Sequence, residues 1–163
     1  LFLTFNFFFQ CSNLSNANEL IFGSISKISD GDTLHIESIN KKKIKVRLAG
    51  IDAPELNQPF GKNSKKILTN FLNKNIKLRV LSKDRYKRTI GIIYYNNHDI
   101  NYHILKSGAA WAYKKYLYQL PISVKKKYQS LEALSRKNKI GLWKDSNPIP
   151  PWKWRKLKKK QES

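Results

Sequence analysis

Residues 44–55 read Ile-Lys-Val-Arg-Leu-Ala-Gly-Ile-Asp-Ala-Pro-Glu. Ile44, Val46 and Leu48 alternate with Lys45 and Arg47, the two-residue period of a strand with one face in a core and the other toward solvent. The strand runs out through Ala49-Gly50 into Asp52 and Glu55, two carboxylates three positions apart at the exit of an apolar strand. A strand end holds such side chains firmly. Taken alone, the cluster is more economically a loop ending in a helix-favouring Glu.

The same alternation extends on both sides. Upstream, Ile21 to Ser29 reads as a strand, and Leu34 and Ile36 alternate with Thr33, His35 and Glu37, with Asp30-Gly31 as the hairpin-turn signal between them. Downstream, Ser64, Ile67, Leu68, Phe71 and Leu72 share one helical face after Pro59 and Gly61. Ile76, Leu78 and Val80 alternate with Lys77 and Arg79, and a fifth strand runs from about Arg88 to Tyr95, bounded by Asn96-Asn97. Asn101 is the expected cap of a short helix ending at Gly108, and Pro121 opens a longer one with Val124, Tyr128, Leu131 and Leu134 inward, ending before Gly141. Short strands interrupted and followed by helices give an α+β class, mainly β, with five strands able to close into a small barrel and three helices around it.

The chain has 163 residues, 32 Lys or Arg against 11 Asp or Glu, and a formal net charge of +21. One domain with a real core suits this length, and a polyanion is the partner the charge selects. Lysine, asparagine and isoleucine are all abundant, as an AT-biased gene would make them, so the lysine count is discounted. Arginine occurs only six times, which fits retention where a planar bidentate donor is needed. A single cysteine, Cys11, excludes an intrachain disulfide, and the three histidines form no zinc pattern and no triad.

Asp30-Gly31-Asp32-Thr33 is, by itself, an ordinary turn sequence. It is not a calcium-binding EF-hand loop, because His35 and Lys41 stand where that loop needs Gly and Glu. Combined with Asp52, Glu55, Arg47 and the Arg88 of Asp84-Arg85-Tyr86-Lys87-Arg88, it becomes a set of parts for phosphate cleavage. Two hard carboxylates suit a divalent cation, a third suits activation of water, and two guanidiniums suit a phosphate gaining negative charge. Basic runs at 41–45, 62–66, 125–127 and 153–160 together add non-specific affinity for nucleic acid, although any one of them alone reads more readily as a solvated face.

Over roughly residues 20–156 the sequence resembles the staphylococcal nuclease (thermonuclease) family. The resemblance is carried by Asp30 to Thr33, by Arg47-Leu48 leading into Ile51 to Glu55, by Asp84 to Arg88, by Ser107-Gly108-Ala109-Ala110 and by Gly141-Leu142-Trp143. It implies a five-stranded OB-fold barrel with three helices and calcium-dependent hydrolysis of DNA and RNA to 3′-phosphate products. It makes Asp32 and Asp52 calcium ligands, joined by the backbone carbonyl of Ala53. Glu55 becomes the general base, Arg47 and Arg88 the phosphate-binding arginines, and Tyr86 and Tyr113 substrate contacts. Lys87 stands where the family usually has glycine, and Thr89-Ile90 replaces the Gly-Leu type pair that follows the second arginine.

Residues 1–9 are apolar apart from Thr4 and Asn6, and a polar stretch follows Cys11. The stretch is too short to span a bilayer, which takes ~20 residues. It reads as the end of a signal sequence, with export as the expectation and Cys11 at the place of an acylated cysteine. The expected organisation is a leader and polar linker over 1–19, a nuclease domain over 20–147, and a basic, Trp-containing and Lys-rich tail over 148–163, in a monomer. The rival is a non-catalytic OB-fold module that binds nucleic acid or another polyanion at the cell surface. A surface adhesin held by a lipidated Cys11 is compatible with either.

Overall fold

The computed structural model describes residues 19–161, so the expectations for the leader and Cys11 lie outside the described residues. Strands β1 (Leu20–Ile28), β2 (Thr33–Ser38) and β3 (Lys43–Leu48) form an antiparallel meander. β1 also pairs antiparallel with β5 (Asn75–Lys83), which pairs with β6 (Thr89–Tyr95). A parallel pairing of β3 with β6 closes the sheet into a five-stranded barrel. The alternating apolar residues fill it: Ile25, Leu34, Ile36, Val46, Leu78 and Ile93 are all fully buried. Closure also removes the long unpaired edges that a five-stranded open sheet would expose.

Two-residue strands β4 (Ile51–Asp52) and β8 (Trp111–Ala112) pair with each other and lock the segment after β3, while β7 (His98–Asp99) turns back to pair antiparallel with the end of β6. Helices α1 (Gly61–Thr69), α2 (Ile100–Lys106) and α3 (Ile122–Lys137) are the three expected from the sequence, and a 3-10 turn spans Lys114–Gln119. Asn101 does not cap α2. Asp99 does, accepting a hydrogen bond from the Tyr102 amide. Asn101 is instead fully buried, donating to the carbonyls of Ala49 and Gly91 and accepting from the Ile93 amide, so it ties α2 to the barrel just where β3 ends.

Gly108 and Gly141 both have positive φ, 59° and 61°, and a Cβ on either would strike the backbone at the other. Their close approach, with the Leu142 amide bonded to the Gly108 carbonyl at 2.9 Å, clasps α2 to the segment after α3. Both glycine motifs of the resemblance are thus structural.

The basic tail forms a fourth helix, α4 (Pro151–Gln161), beyond the three read from the sequence. It is docked rather than free. Trp152 meets Trp111 edge-on and stacks on Tyr113, with centroids 5.4 Å apart and rings 16° from parallel. Trp154 donates its indole N–H to Asn57, and the buried Gln58 donates to the Ile149 carbonyl.

Candidate active site

The hairpin turn between β1 and β2 is built by Asp30, whose carboxylate accepts the amides of Asp32 and Thr33 at 3.0 and 2.7 Å. Gly31 lies so close to Ala53 and Ser64 that an added Cβ would come within 2.7 Å of both side chains. Only glycine lets this turn pack against the segment after β4. Asp32 then projects inward, accepting from the Ala53 amide at 2.7 Å and from the Thr33 hydroxyl at 3.0 Å. Burial pushes its carboxyl up to about 7 against the pull of Arg47, with the charges of Asp30 and Asp52 adding to the rise.

Arg47 points from β3 to the same place. One of its terminal nitrogens reaches Asp32 at 3.0 Å and Asp52 at 2.8 Å, and the other donates to the carbonyls of Leu48 and Ile51. Four acceptors and only 14% side-chain exposure fix the guanidinium. Asp52 is almost fully buried at the β4–β8 ladder. Glu55 lies on the following loop, with its amide bonded to the Gln58 side chain and its carboxylate 38% exposed. Ala53 is buried between the two acids in sequence, with its amide committed to Asp32.

Arg88 enters from the β5–β6 turn. Its Nε donates to Asp84 at 2.7 Å, and Asp84 also accepts the amides of Tyr86 and Arg88. Partial burial raises the Asp84 carboxyl, but the hydrogen bonds and charge of Arg88 outweigh it and leave the group below its ordinary range. Lys87 takes the left-handed conformation, φ 62°, which explains why glycine suits that position. The exposed ring of Tyr86 lies under both Arg85 and Arg88. Tyr113, half-buried, has one face against Trp152; burial and then the charge of Asp52 push its hydroxyl upward.

All eight residues singled out from the sequence, Asp32, Arg47, Asp52, Ala53, Glu55, Tyr86, Arg88 and Tyr113, line one cleft of about 940 Å³. A second depression of about 470 Å³, beside Phe22, Ile39, Lys77 and Tyr94, offers no carboxylate and no arginine. Sequence reasoning missed one member of the site. Arg155 of α4 bonds Asp52 at 2.8 Å and Glu55 at 2.6 Å. The signal available for it was the scarcity of arginine, since Arg155 stands alone in a run of lysines.

Among the described residues no group of three or more His, Cys, Asp or Glu side chains is arranged as a metal cage. Asp32 and Asp52 nevertheless each put an oxygen within 3.0 Å of one Arg47 nitrogen, so the two carboxylates converge on one positive charge. Two carboxylates completed by carbonyls and water form a donor set of the kind that calcium accepts. Arg88 brings a forked donor, and the acids bring acceptors, to a cleft open enough for a phosphodiester, beside an Arg47 whose terminal nitrogens are engaged by Asp32, Asp52 and two carbonyls.

The family described as "Staphylococcal nuclease homologue" matches residues 45–145. An "Uncharacterized endonuclease" of Haemophilus influenzae is 43% identical over 160 residues, covering 98% of this chain and 84% of that protein. A "Micrococcal nuclease" of Shigella flexneri is 35% identical over 147 residues, covering 84% of this chain and 82% of that protein. An "Uncharacterized endonuclease" of Escherichia coli O157:H7 is 33% identical over 140 residues, covering 85% of this chain and 87% of that protein. With barrel, cleft and sequence in agreement, the chain belongs to the staphylococcal nuclease family.

Proposed function

We propose that the protein is a nuclease that hydrolyses phosphodiester bonds of DNA and RNA with calcium as cofactor, leaving a 3′-phosphate and a 5′-hydroxyl. The observation that carries this reading is the convergence of Asp32, Asp52, Glu55, Arg47 and Arg88 on one cleft. Asp32 and Asp52 would hold the cation, with the Ala53 carbonyl as a third ligand. When bound, calcium supplies charge neutralisation at the phosphoryl oxygens and a polarised water. Glu55 takes a proton from the attacking water as its oxygen bonds to phosphorus, the bond to the 5′-oxygen breaks, and that oxygen takes a proton from solvent water as it leaves. Arg47 and Arg88 hold the phosphate and stabilise the charge that grows on its equatorial oxygens, which is where fixed donors in a cleft contribute most. Tyr86 and Tyr113 offer aromatic surface to neighbouring bases, a sequence-tolerant contact. The apolar residues 1–9 support export, to surroundings where calcium is abundant.

The test is digestion of heat-denatured DNA and of RNA with calcium and with chelator. Cleavage that needs calcium and yields 3′-phosphate ends is expected. Tight binding without calcium-dependent cleavage would instead establish the polyanion-binding module, which the +21 charge alone would support.

A further inference from the structure

Asp52 has both carboxylate oxygens engaged by arginines. Oδ1 accepts from Arg47 at 2.8 Å, and Oδ2 accepts from Arg155 at 2.8 Å. The second terminal nitrogen of Arg155 reaches Glu55 Oε1 at 2.6 Å and Asp52 Oδ1 at 3.3 Å. One guanidinium therefore bridges the two acids to which the nuclease reading gives the cation and the water.

The two arginines are not equivalent. Arg47 leaves a barrel strand, is 14% exposed and is anchored by two carbonyls besides the acids. Arg155 is 44% exposed, is held by the carboxylates of Asp52 and Glu55, and rides on a helix whose docking rests on other side chains, Trp152 and Trp154 among them. A cation and a guanidinium on the same carboxylate compete for its lone pairs and repel each other. Asp52 keeps Arg47 when Arg155 leaves, so the more exposed guanidinium, which lacks the carbonyl anchors of Arg47, gives way at the lower cost. Its release needs only a side-chain rotation into the cleft, where Lys156 and Lys159 of the same helix also stand and where an incoming phosphate supplies a replacement anion.

We propose that Arg155 is a further positioning residue of this site: it holds Asp52 and Glu55 toward each other and yields Asp52 to the incoming cation, which frees Glu55 for the water. The proposal rests on the nuclease reading for the roles of those two acids. In it, α4 is part of the active site, and the cation and Arg155 are rivals for Asp52.

The experiment is calorimetric titration of calcium into the substrate-free protein, for the wild type, Arg155→Gln and Arg155→Lys. Amide hydrogen exchange over residues 151–161 reports whether α4 stays docked. Arg155→Gln should bind calcium about tenfold more tightly, a change of ~1.4 kcal/mol. Arg155→Lys, which keeps a charge but loses the fork, should fall between, and exchange in α4 should stay slow in both. Calcium affinity that is unchanged or weaker in Arg155→Gln overturns the proposal. A nuclease that requires calcium but whose affinity ignores residue 155 loses only this proposal. A protein whose calcium affinity follows the predicted order yet cuts nothing keeps it and loses the nuclease reading. Failure of all three forms to bind calcium removes both.

Discussion

Arg47 fixes the geometry of the site through a fork that spans Asp32, Asp52 and two carbonyls. Lysine offers one point charge in its place and cannot reach all four. Arg47→Lys is therefore expected to lower single-turnover cleavage by ~100-fold or more, the scale seen when one fixed donor to a developing oxyanion is lost. The same change leaves two buried acids short of partners, so a fall in unfolding free energy of roughly 2–4 kcal/mol should accompany it in denaturant titration. Arg88 depends on its turn rather than on the barrel. Asp84 is held below its ordinary value of 3.8 in the folded protein. Its stabilising contribution is therefore complete above that value and is lost as pH falls through the lower folded value. Asp84→Asn keeps the acceptor for the turn amides but removes the anion. It should flatten the acid side of the stability profile below about pH 4 and raise KM several-fold by loosening Arg88, as thermal melts across pH and steady-state kinetics would show.

The strands were legible because each carries the two-residue alternation of a half-buried element, and Arg47 was placed on the polar side of β3 by that alternation alone. Helix ends were less so. Asn101 and Asp99 are both good cap residues two positions apart, and only tertiary packing decides that Asp99 caps while Asn101 goes to the carbonyls of Ala49 and Gly91. Asn101→Ala would take its partner from the buried Ala49 carbonyl at the exit of β3, while the Gly91 carbonyl keeps the Ala49 amide. A loss of ~2–3 kcal/mol is expected, from the penalty for orphaned buried groups, together with weaker cleavage because the segment carrying Asp52 loses its tie. Helix α4 was hidden for a different reason. Three prolines in 148–151 and a run of lysines without a continuous apolar face read as a tail. Its stability comes from Trp154 and Arg155 meeting residues about a hundred positions away and from Trp152 meeting Trp111 and Tyr113, contacts that no local pattern encodes.

At the scale of the molecule, a net charge of +21 surrounds a cleft whose rim includes Lys83, Lys115, Lys156 and Lys159. Each phosphate neutralised on a single strand contributes about 0.7 to the slope of log affinity against log salt. Binding of denatured DNA should therefore weaken steeply with salt, with little dependence on base sequence, and Lys156→Gln with Lys159→Gln should flatten that slope by about 1.4. The acids and arginines of the cleft sit on separate stretches of chain, the β1–β2 turn, the β3–β4 exit and the β5–β6 turn, and barrel closure through β3 and β6 brings them together. The claim that this convergence is a hydrolytic site is tested most directly by Glu55→Gln, which keeps the shape of the side chain but removes the base. Measured side by side with calcium present, affinity for denatured DNA should remain within about threefold of the wild type while the single-turnover rate falls ~100-fold or more. Equal rates in the two proteins would contradict the assignment of Glu55 and, with it, the reading of the cleft as a water-activating centre.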